Sequence, residues 1–411
     1  MPSDGSSNRL ANSRRQFLRA ATLGSAATVL RPTRLVGQQN LGRSLGDGVG
    51  GYGGRSHFEE TVRRLRASRY PQAAGSLTPL QDLYGTITPS ALHFERHHAG
   101  IPDIDPSEHR LLIDGLVDRP LVFTMDELRR LPAVTRVYFI ECSGNGRVKW
   151  APAEPDTDVQ AAFGMTSCSE WTGVPLSVLL SAVGIRNKAQ WIVAEGADAC
   201  RMTRSVPLVK AQDDILVAYG QNGEALRPAQ GYPLRLVIPG WEGNISIKWL
   251  RRLHVVDQPY LTREETAKYT DLMPDGKSRQ FTFAMDAKSV ITRPSGGDRL
   301  DGSGFYQVSG LAWSGRGRVR GVEISTDGGE SWVGAQLQQP VLPFAHTRFR
   351  YDWSWDGSEK ILASRCIDEA GEVQPTRSAL IAVRGTHSSY HNNAIQGWRV
   401  RSTGRVENVD V

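Results

Sequence analysis

The chain has 411 residues, 39% of them hydrophobic and 22% charged, which is an ordinary globular composition with room for two or three domains. Its formal net charge is +6, but residues 1–37 hold six arginines and one aspartate and account for most of it. The rest of the chain is nearly neutral, so the charge does not indicate a nucleic-acid-binding protein.

The N-terminus has the order of features found in export signals. Arg14 and Arg15 precede an apolar run of eleven residues over 20–30, which suits a signal peptide and is too short to span a bilayer. An arginine pair before such a run is typical of a twin-arginine signal, and a basic amphipathic arm is the alternative. We therefore expect residues 1–37 to direct export of the folded protein to the periplasm, and we expect no membrane span.

The next residues are predicted to be a linker and a helix. Residues 38–56 are rich in glycine and are predicted to be a flexible linker. They match GxGxxG at Gly46, Gly48 and Gly51, but no apolar strand precedes them, so we reject a dinucleotide site. The polar run over 57–69 is predicted to be a helix.

Two regions of different periodicity follow. From Leu111 to about Val256, short β-rich runs mix with helical ones, which predicts an α+β core, and a turn-rich passage follows over 257–285. Residues 286–385 alternate between apolar and polar residues and contain turns such as Asp327-Gly328-Gly329, which predicts an antiparallel β-sandwich. Residues 386–411 are predicted to be a polar tail. The predicted strands are 135–140, 190–194, 234–238, 253–256, 305–313, 318–325 and 360–368, and the clearest helix is 175–183.

The spacing of the cysteines limits the cofactors and crosslinks that this chain can carry. Four widely spaced cysteines form no CxxC, no CxxCH and no zinc motif, so we expect no c-type haem attached to this chain and no disulfide framework. Cys142 stands out because a β-rich run delivers it to the loop ECSGNGR, which ends with the cation Arg147. A nearby cation favours the thiolate, which binds metals or acts as a nucleophile. Spacing alone leaves a buried structural cysteine equally open.

The ECSGNGR loop resembles the molybdenum-ligand loop of the sulfite oxidase family. Several motifs in the same order are more specific than one match, and the resemblance covers roughly residues 80–385. Residues 93–103 and the tail around 392–395 look like one branch, the molybdenum subunits of bacterial sulfane dehydrogenases. The further matching motifs are QGYPLR (230–235), PGW (239–241), the pterin-binding stretch IKWL (247–250) and STDGGESW (325–332) of the dimerisation domain.

The resemblance implies an α+β chain in two parts. A sulfite-oxidase-like molybdopterin-binding catalytic domain is expected over 57–275, and an immunoglobulin-like antiparallel β-sandwich for dimerisation over 276–385.

The resemblance also implies the site residues. Cys142 would be the thiolate ligand of molybdenum, a soft donor that suits this metal. Arg96, Arg147 and Arg365 would line an anion pocket, with Arg365 reaching across from the sandwich; ion-paired surface arginines are the alternative. Tyr269 would be the active-site tyrosine and Trp171 a wall of the pocket; ordinary packing is the alternative for both. The residues expected to hold the pyranopterin and its phosphate are Phe94, Arg96, His98, Asp198, Gln230, Arg235, Ser246, Ile247 and Lys248.

Gln230 departs from the family pattern, which has a histidine at this position. An amide can donate to phosphate but cannot carry positive charge, so other cations must compensate. His93, His97 and His98 could suggest a metal cluster, but their spacing is not HExxH and no carboxylate ligand is evident.

The implied activity is molybdenum-dependent oxidation of reduced sulfur by oxygen-atom transfer. The expected substrate is sulfane sulfur on a sulfur-carrier protein, and the expected electron acceptor is a c-type cytochrome subunit. A homodimer of molybdenum chains would then form a heterotetramer with the cytochrome. The alternatives are a periplasmic sulfite dehydrogenase, a periplasmic sulfoxide reductase, which would carry out oxygen transfer in the reverse direction, and a non-catalytic binding module in which Cys142 is merely structural.

Overall fold

Strands dominate because the apolar runs are short, rich in β-branched and aromatic residues, and separated by glycine, proline and aspartate turns. The computed structural model describes residues 48–411. The predicted export signal (1–37) and residues 38–47 of the predicted linker lie outside this range. None of the helices in residues 48–411 has the length and apolar character needed to cross a bilayer.

From residue 48 onwards, the N-terminal part contains fifteen strands and five short α-helices. The strands are β1 (Arg64–Arg66), β2 (Gly75–Leu77), β3 (Glu95–Arg96), β4 (Arg110–Gly115), β5 (Leu121–Thr124), β6 (Val134–Glu141), β7 (Thr166–Pro175), β8 (Trp191–Gly196), β9 (Thr203–Pro207), β10 (Leu216–Gln221), β11 (Glu224–Ala225), β12 (Arg235–Val237), β13 (Leu250–Val256), β14 (Asp271–Leu272) and β15 (Ser278–Arg279). The helices are α1 (Met125–Arg130), α2 (Val159–Phe163), α3 (Leu176–Val183), α4 (Leu208–Asp213) and α5 (Arg263–Thr266).

Two five-stranded sheets enclose the core of this part. One has the order β5-β4-β13-β8-β9, and the other runs β11-β10-β7-β6 with β12 added beside β10. Buried aliphatic side chains such as Leu111, Leu179, Val217 and Leu253 pack together with helices α3 and α4. A small sheet of order β1-β2-β3 precedes them in the chain.

The C-terminal part is a two-sheet sandwich. Its strands are β16 (Lys288–Arg293), β17 (Gly304–Trp313), β18 (Val319–Ser325), β19 (Val333–Gly334), β20 (Gln336–Leu337), β21 (Thr347–Trp355), β22 (Lys360–Asp368), β23 (Gly397–Val400) and β24 (Val406–Val409), with helix α6 (Arg377–Arg384) before the last two. The sheets have the orders β16-β17-β21-β20 and β19-β18-β22-β23-β24, and all these pairs are antiparallel. Residues 60–411 form one compact unit.

The predicted α+β fold with a C-terminal sandwich is confirmed, and the seven predicted strands and the helix over 175–183 all occur. Two local predictions are wrong. Instead of a helix over 57–69, the chain forms β1, because Leu65 pairs with Ser76 of β2. Instead of a polar tail, residues 386–411 supply β23 and β24, and Trp398 is fully buried because its ring completes the sandwich core.

Candidate active site

A cleft of ≈ 690 Å³ opens where the loops after β3, β6, β8, β12 and α5 meet. It brings together side chains that are far apart in sequence. The residues lining it are His93, Phe94, Arg96, His97, His98, Ile140, Cys142, Asp198, Met202, Gln230, Arg235, Gly243, Asn244, Ser246, Ile247, Lys248, Trp249 and Tyr269.

The loop that carries Cys142 is fixed by hydrogen bonds. The backbone N–H of Cys142 donates to the carbonyl of Met165 (2.9 Å), and the N–H of Asn145 donates back to the carbonyl of Cys142 (2.8 Å). Gly146 closes the loop at φ +78°, where a Cβ would lie 3.1 Å from the carbonyl oxygen of Asn392, so glycine is required here. The loop therefore holds the thiol in one place before any ligand binds.

Glu141 anchors this loop to the sandwich. Its carboxylate is fully buried and accepts hydrogen bonds from Lys288 Nζ (2.6 Å), Trp313 Nε1 (2.6 Å) and Asn145 Nδ2 (2.9 Å). Lys288 and Trp313 belong to β16 and β17, so the sandwich helps to position the residue next to Cys142.

Among the four cysteines, Cys142 lies in the cleft, whereas Cys168 and Cys366 are buried in the core around the sandwich. Burial raises the pKa of the Cys142 thiol overall, although the backbone of Gly144 and the guanidiniums of Arg96, Arg66 and Arg147 act in the opposite direction. For Cys168, burial raises the pKa to about 12. The geometry therefore favours a reactive or metal-binding role for Cys142 over a purely structural one.

Two cations at the other side of the cleft have no ion-pair partner within the described residues, although the charge of Asp198 acts on Lys248. Arg235 donates to the carbonyls of Leu236, Gln230 and Ser246, and Lys248 donates to two carbonyls and to His97 Nδ1. Within residues 48–411, neither forms an ion pair with a carboxylate. Burial lowers the pKa of Arg235 to about 9, and burial together with Arg235 lowers that of Lys248 well below its usual value. Such a pair is suited to a bound phosphate.

The three histidines are neutral at physiological pH. Burial and the neighbouring cations lower the pKa of His93 and His97 to about 3 and that of His98 to about 4. No cluster of metal-binding side chains occurs in the described residues. The buried Nε2 of His93 has no hydrogen-bond partner there, which leaves it available to a ligand in the cleft.

Gln230 contributes hydrogen bonds to the cleft and no positive charge. Its Nε2 donates to the carbonyl of Phe94 (3.0 Å), and its backbone carbonyl accepts from Arg235 Nη1 (2.9 Å). It therefore links the Phe94 segment to Arg235, and the positive charge on this side of the cleft comes from Arg235 and Lys248.

Tyr269 lines the cleft with its hydroxyl 3.1 Å from His98 Nε2. Burial raises the pKa of this phenol, so it stays protonated, and its ring lies beneath the guanidinium of Arg204. The remaining predicted cofactor residues also line the cleft. They are Phe94, Arg96, Asp198, Ser246 and Ile247.

Three predicted pocket residues lie elsewhere. Trp171 is fully buried behind the cleft, where the guanidinium of Arg235 stacks 4.9 Å above its ring. Arg147 is exposed and does not line the cleft, although it is near enough to lower the pKa of Cys142. The structure does not bring Arg365 to the cleft, because Arg365 points from β22 to the carboxylate of Glu323 (2.6 Å) and stacks over Trp332.

Sequence reasoning missed two neighbours of Cys142. Asn244 lines the cleft and donates to Ser143 Oγ (3.2 Å). Arg66 lies on β1, in a segment predicted to be a helix, and its charge acts on Cys142. The signal for Arg66 was weak, because four arginines lie between positions 63 and 69 and only the fold distinguishes them.

The cleft fits a molybdenum–pyranopterin cofactor. It offers a thiol for the metal at one side, unpaired buried cations for a phosphate at the other, and an unpartnered imidazole nitrogen on His93. Soft thiolate ligands and cation-rich phosphate pockets are the two requirements of such a group.

Comparison with known proteins agrees with this geometry. Residues 98–263 match the family described as oxidoreductase molybdopterin binding domain, and residues 279–397 match the Mo-co oxidoreductase dimerisation domain. The crystal structure of the sulfane dehydrogenase SoxCD from Paracoccus pantotrophus is 47% identical in sequence, with a TM-score of 0.88 over 91% of this chain and 97% of that chain. The chain belongs to the sulfite oxidase family of molybdenum enzymes. Within that family it is similar to the sulfane dehydrogenase SoxCD.

Nitrate reductases are also relatives. The NADH nitrate reductase of Ulva prolifera is 34% identical over 71% of this chain, and the NADPH nitrate reductase of Phytophthora infestans is 33% identical over 67% of it. The chain spans only 38% and 34% of the length of these two proteins.

Proposed function

We propose that this protein is a molybdenum-dependent dehydrogenase that oxidises sulfane sulfur held on a carrier protein. The observation that carries the proposal is the 47% identity and 0.88 TM-score to a sulfane dehydrogenase over 97% of that chain. The cleft supports it, because Cys142 lies among cations suited to an anionic sulfur substrate.

The residues divide into those that hold the cofactor and those that meet the substrate. Cys142 is the proposed metal ligand, and Lys248 with Arg235 binds the phosphate of the pterin. When bound, the cofactor supplies oxygen-atom transfer and a two-electron redox change. The phosphate would restore the positive charge that burial disfavours on Lys248.

On the substrate side, Arg96 in the cleft binds the anion and stabilises negative charge as it shifts onto the sulfur oxide, and Arg147, outside the cleft lining, adds its charge at longer range. Tyr269 stays protonated, so its hydroxyl can donate a hydrogen bond to an anion in the cleft. The neutral imidazole of His98 holds this hydroxyl in position.

We further propose a c-type cytochrome subunit as the electron acceptor and a heterotetramer of two molybdenum chains with the cytochrome. The sequence contains no CxxCH motif, which supports an acceptor on another chain. The dimerisation domain over 279–397 supports pairing of two molybdenum chains.

Periplasmic location is proposed from the arginine pair at 14 and 15. Replacing both with lysine (Arg14→Lys, Arg15→Lys) should leave cofactor-loaded protein in the cytoplasm, because the arginine pair is recognised as an export signal and not only by its charge. Cell fractionation with the charge-matched control Arg31→Lys, which leaves the pair intact, tests this. Full periplasmic export of the double variant would refute the signal.

Substrate is tested by comparing kcat/KM on the purified holoenzyme for carrier-bound persulfide and free sulfite, with cytochrome c as acceptor. Docking contacts remote from the reacting sulfur should make the carrier-bound substrate the better one. A clear preference for sulfite would instead identify a sulfite dehydrogenase. Because nitrate reductases are relatives, a third assay, or arm, of the experiment measures nitrate reduction with a chemical electron donor. Protein purified without molybdenum and inactive in every arm would favour a binding module.

A further inference from the structure

Three residues lie in one row across the small sheet. Arg66 of β1 pairs in register with Gly75 of β2, and Gly75 pairs in register with Arg96 of β3. Residues directly opposite each other on neighbouring strands face the same side of a sheet. The two arginines therefore project from the same face, about 10 Å apart at their backbones, with a glycine between them.

Gly75 keeps the space between the arginines free of a side chain. A Cβ at this position would lie 2.5 Å from the carbonyl oxygen of Glu95. The close approach of the backbones thus requires glycine, and the row presents two guanidiniums with a gap rather than a continuous line of side chains.

Arg66 lies close to Cys142. Its Nη1 is 3.1 Å from Met165 Sδ, and the carbonyl of Met165 accepts the N–H of Cys142. The charges of Arg66 and Arg96 both act on the Cys142 thiol, so the two guanidiniums lie near the same sulfur.

Arg66 differs from Arg63 and Arg64 in having no counter-ion. Arg63 pairs with Glu95, and Arg64 pairs with Asp158. Within residues 48–411, no carboxylate lies within ion-pairing distance of Arg66, although the side chain is half-buried. A partly desolvated guanidinium without a partner is ready to bind an anion.

We propose that Arg66 is a substrate-binding residue that, together with Arg96, clamps an anionic sulfur oxide beside Cys142. Arg66 does not itself line the cleft; its contact with Met165 Sδ and its place on the same sheet face as Arg96 put its charge near the Cys142 loop. The proposal rests on the proposed function for the identity of the anion, and on the sheet register for the clamp.

The test uses the holoenzyme with Arg66→Gln, Arg66→Lys and the control Arg69→Gln, an exposed arginine three residues further along the same segment. Each variant is measured for molybdenum content, thermal midpoint, sulfate affinity by calorimetry, and KM and kcat on the sulfur substrate. We expect Arg66→Gln to weaken sulfate binding and raise KM at least about tenfold, the loss of one charge-assisted hydrogen bond, with kcat within about threefold. Arg66→Lys should be intermediate, and Arg69→Gln should match wild type.

Unchanged sulfate affinity and KM in Arg66→Gln would overturn the clamp, as would a wild-type enzyme that does not bind sulfate. Loss of molybdenum or of thermal stability in Arg66→Lys would also overturn it, because it would make Arg66 a packing residue for Met165. If no sulfur substrate is turned over, the proposed function fails, but the sulfate titration still decides the role of Arg66.

Discussion

At the residue scale, the surroundings of Cys142 set it apart from the other cysteines. Its loop is fixed by backbone hydrogen bonds and by buried Glu141, and its sulfur faces a cleft with positive charge nearby. Cys200, by contrast, lies on the exposed side and donates to Asp198 (2.7 Å), and partial burial together with that carboxylate raises its pKa to about 12. Position in the fold rather than residue type therefore makes Cys142 the candidate ligand.

Replacing Cys142 with serine should abolish turnover and strongly reduce bound molybdenum, because a hydroxyl is a far harder donor than a thiolate. Metal analysis and steady-state assays of the purified variant measure both effects. Cys200→Ser is the matched control, since serine can still donate to Asp198 and should leave the molybdenum content unchanged. Normal activity in Cys142→Ser would remove the metal-ligand assignment.

A second buried network surrounds Glu242, which pairs with Arg204 (3.2 Å) and His391 (3.5 Å). Burial alone would raise the pKa of this carboxyl, but the two partners hold it at about 2. A carboxyl with a lowered pKa stabilises the folded state above its unfolded pKa of about 4.5, and this stabilisation is lost as the pH falls towards 2.

Glu242→Gln should therefore lower the free energy of unfolding by about 3–5 kcal/mol at pH 7, because it leaves Arg204 without this partner. The difference from wild type should shrink steadily between pH 5 and pH 3. Urea titrations at several pH values measure it, with Glu369→Gln, which removes an exposed ion pair, as a control expected to cost about 1 kcal/mol or less. A difference in unfolding free energy that does not depend on pH would contradict the lowered pKa of Glu242.

At the element scale, the segment after α6 connects the sandwich to the active-site loop. The N–H of His391 donates to the carbonyl of Ser143 (2.8 Å), and the ring of Tyr390 lies 5.3 Å from that of Tyr269. The chain then continues into β23 and β24, which extend the second sheet of the sandwich. The segment therefore contacts both the Cys142 loop and Tyr269 before it enters the sandwich.

Trp398→Ala in β23 should lower the free energy of unfolding by about 3–5 kcal/mol, because it empties a fully buried position in the sandwich core. Chemical denaturation measures the loss. Phe305→Ala is the control, since that ring is 67% exposed and its removal should cost less than about 1 kcal/mol. An equal loss of unfolding free energy in the two variants would indicate that the C-terminal residues are a loosely attached tail.

At the scale of the whole molecule, two parts with different sheets share one buried boundary. Phe139 and Phe163 from the N-terminal part pack in the same core as Trp313 and Ile291 of the sandwich, and Lys288 reaches across to Glu141. The sandwich therefore supports the Cys142 loop in addition to forming the dimerisation domain.

We expect the chain to form a twofold dimer through the sandwich, because residues 279–397 match a dimerisation domain and twofold closure is the commonest symmetry of homo-oligomers. Light scattering of the chain freed from any cytochrome should give twice the chain mass at micromolar concentration. A monomer throughout that concentration range would count against the dimer.

The sequence by itself determined the features that depend on local pattern. The alternation in β17, β18 and β22 predicted the sandwich, because strand periodicity depends on neighbouring residues. Cys142 was identified by the resemblance of the ECSGNGR loop to the ligand loop of the sulfite oxidase family, since cysteine spacing alone left a structural role equally open. The motifs around Gln230–Arg235 and Ile247–Leu250 likewise located one side of the cleft, and all of Gln230, Arg235, Ile247 and Lys248 line it.

Only the tertiary structure decided which distant residues meet. The register of β1, β2 and β3 placed Arg66 beside Arg96, whereas the pairing of β18 with β22 turned Arg365 towards Glu323. The same is true of the C-terminal residues, which look polar in sequence but bury Trp398 by pairing with β22. The physical reason is that strand pairing, ion pairing and burial are set by contacts between residues far apart in the chain, which no local pattern records.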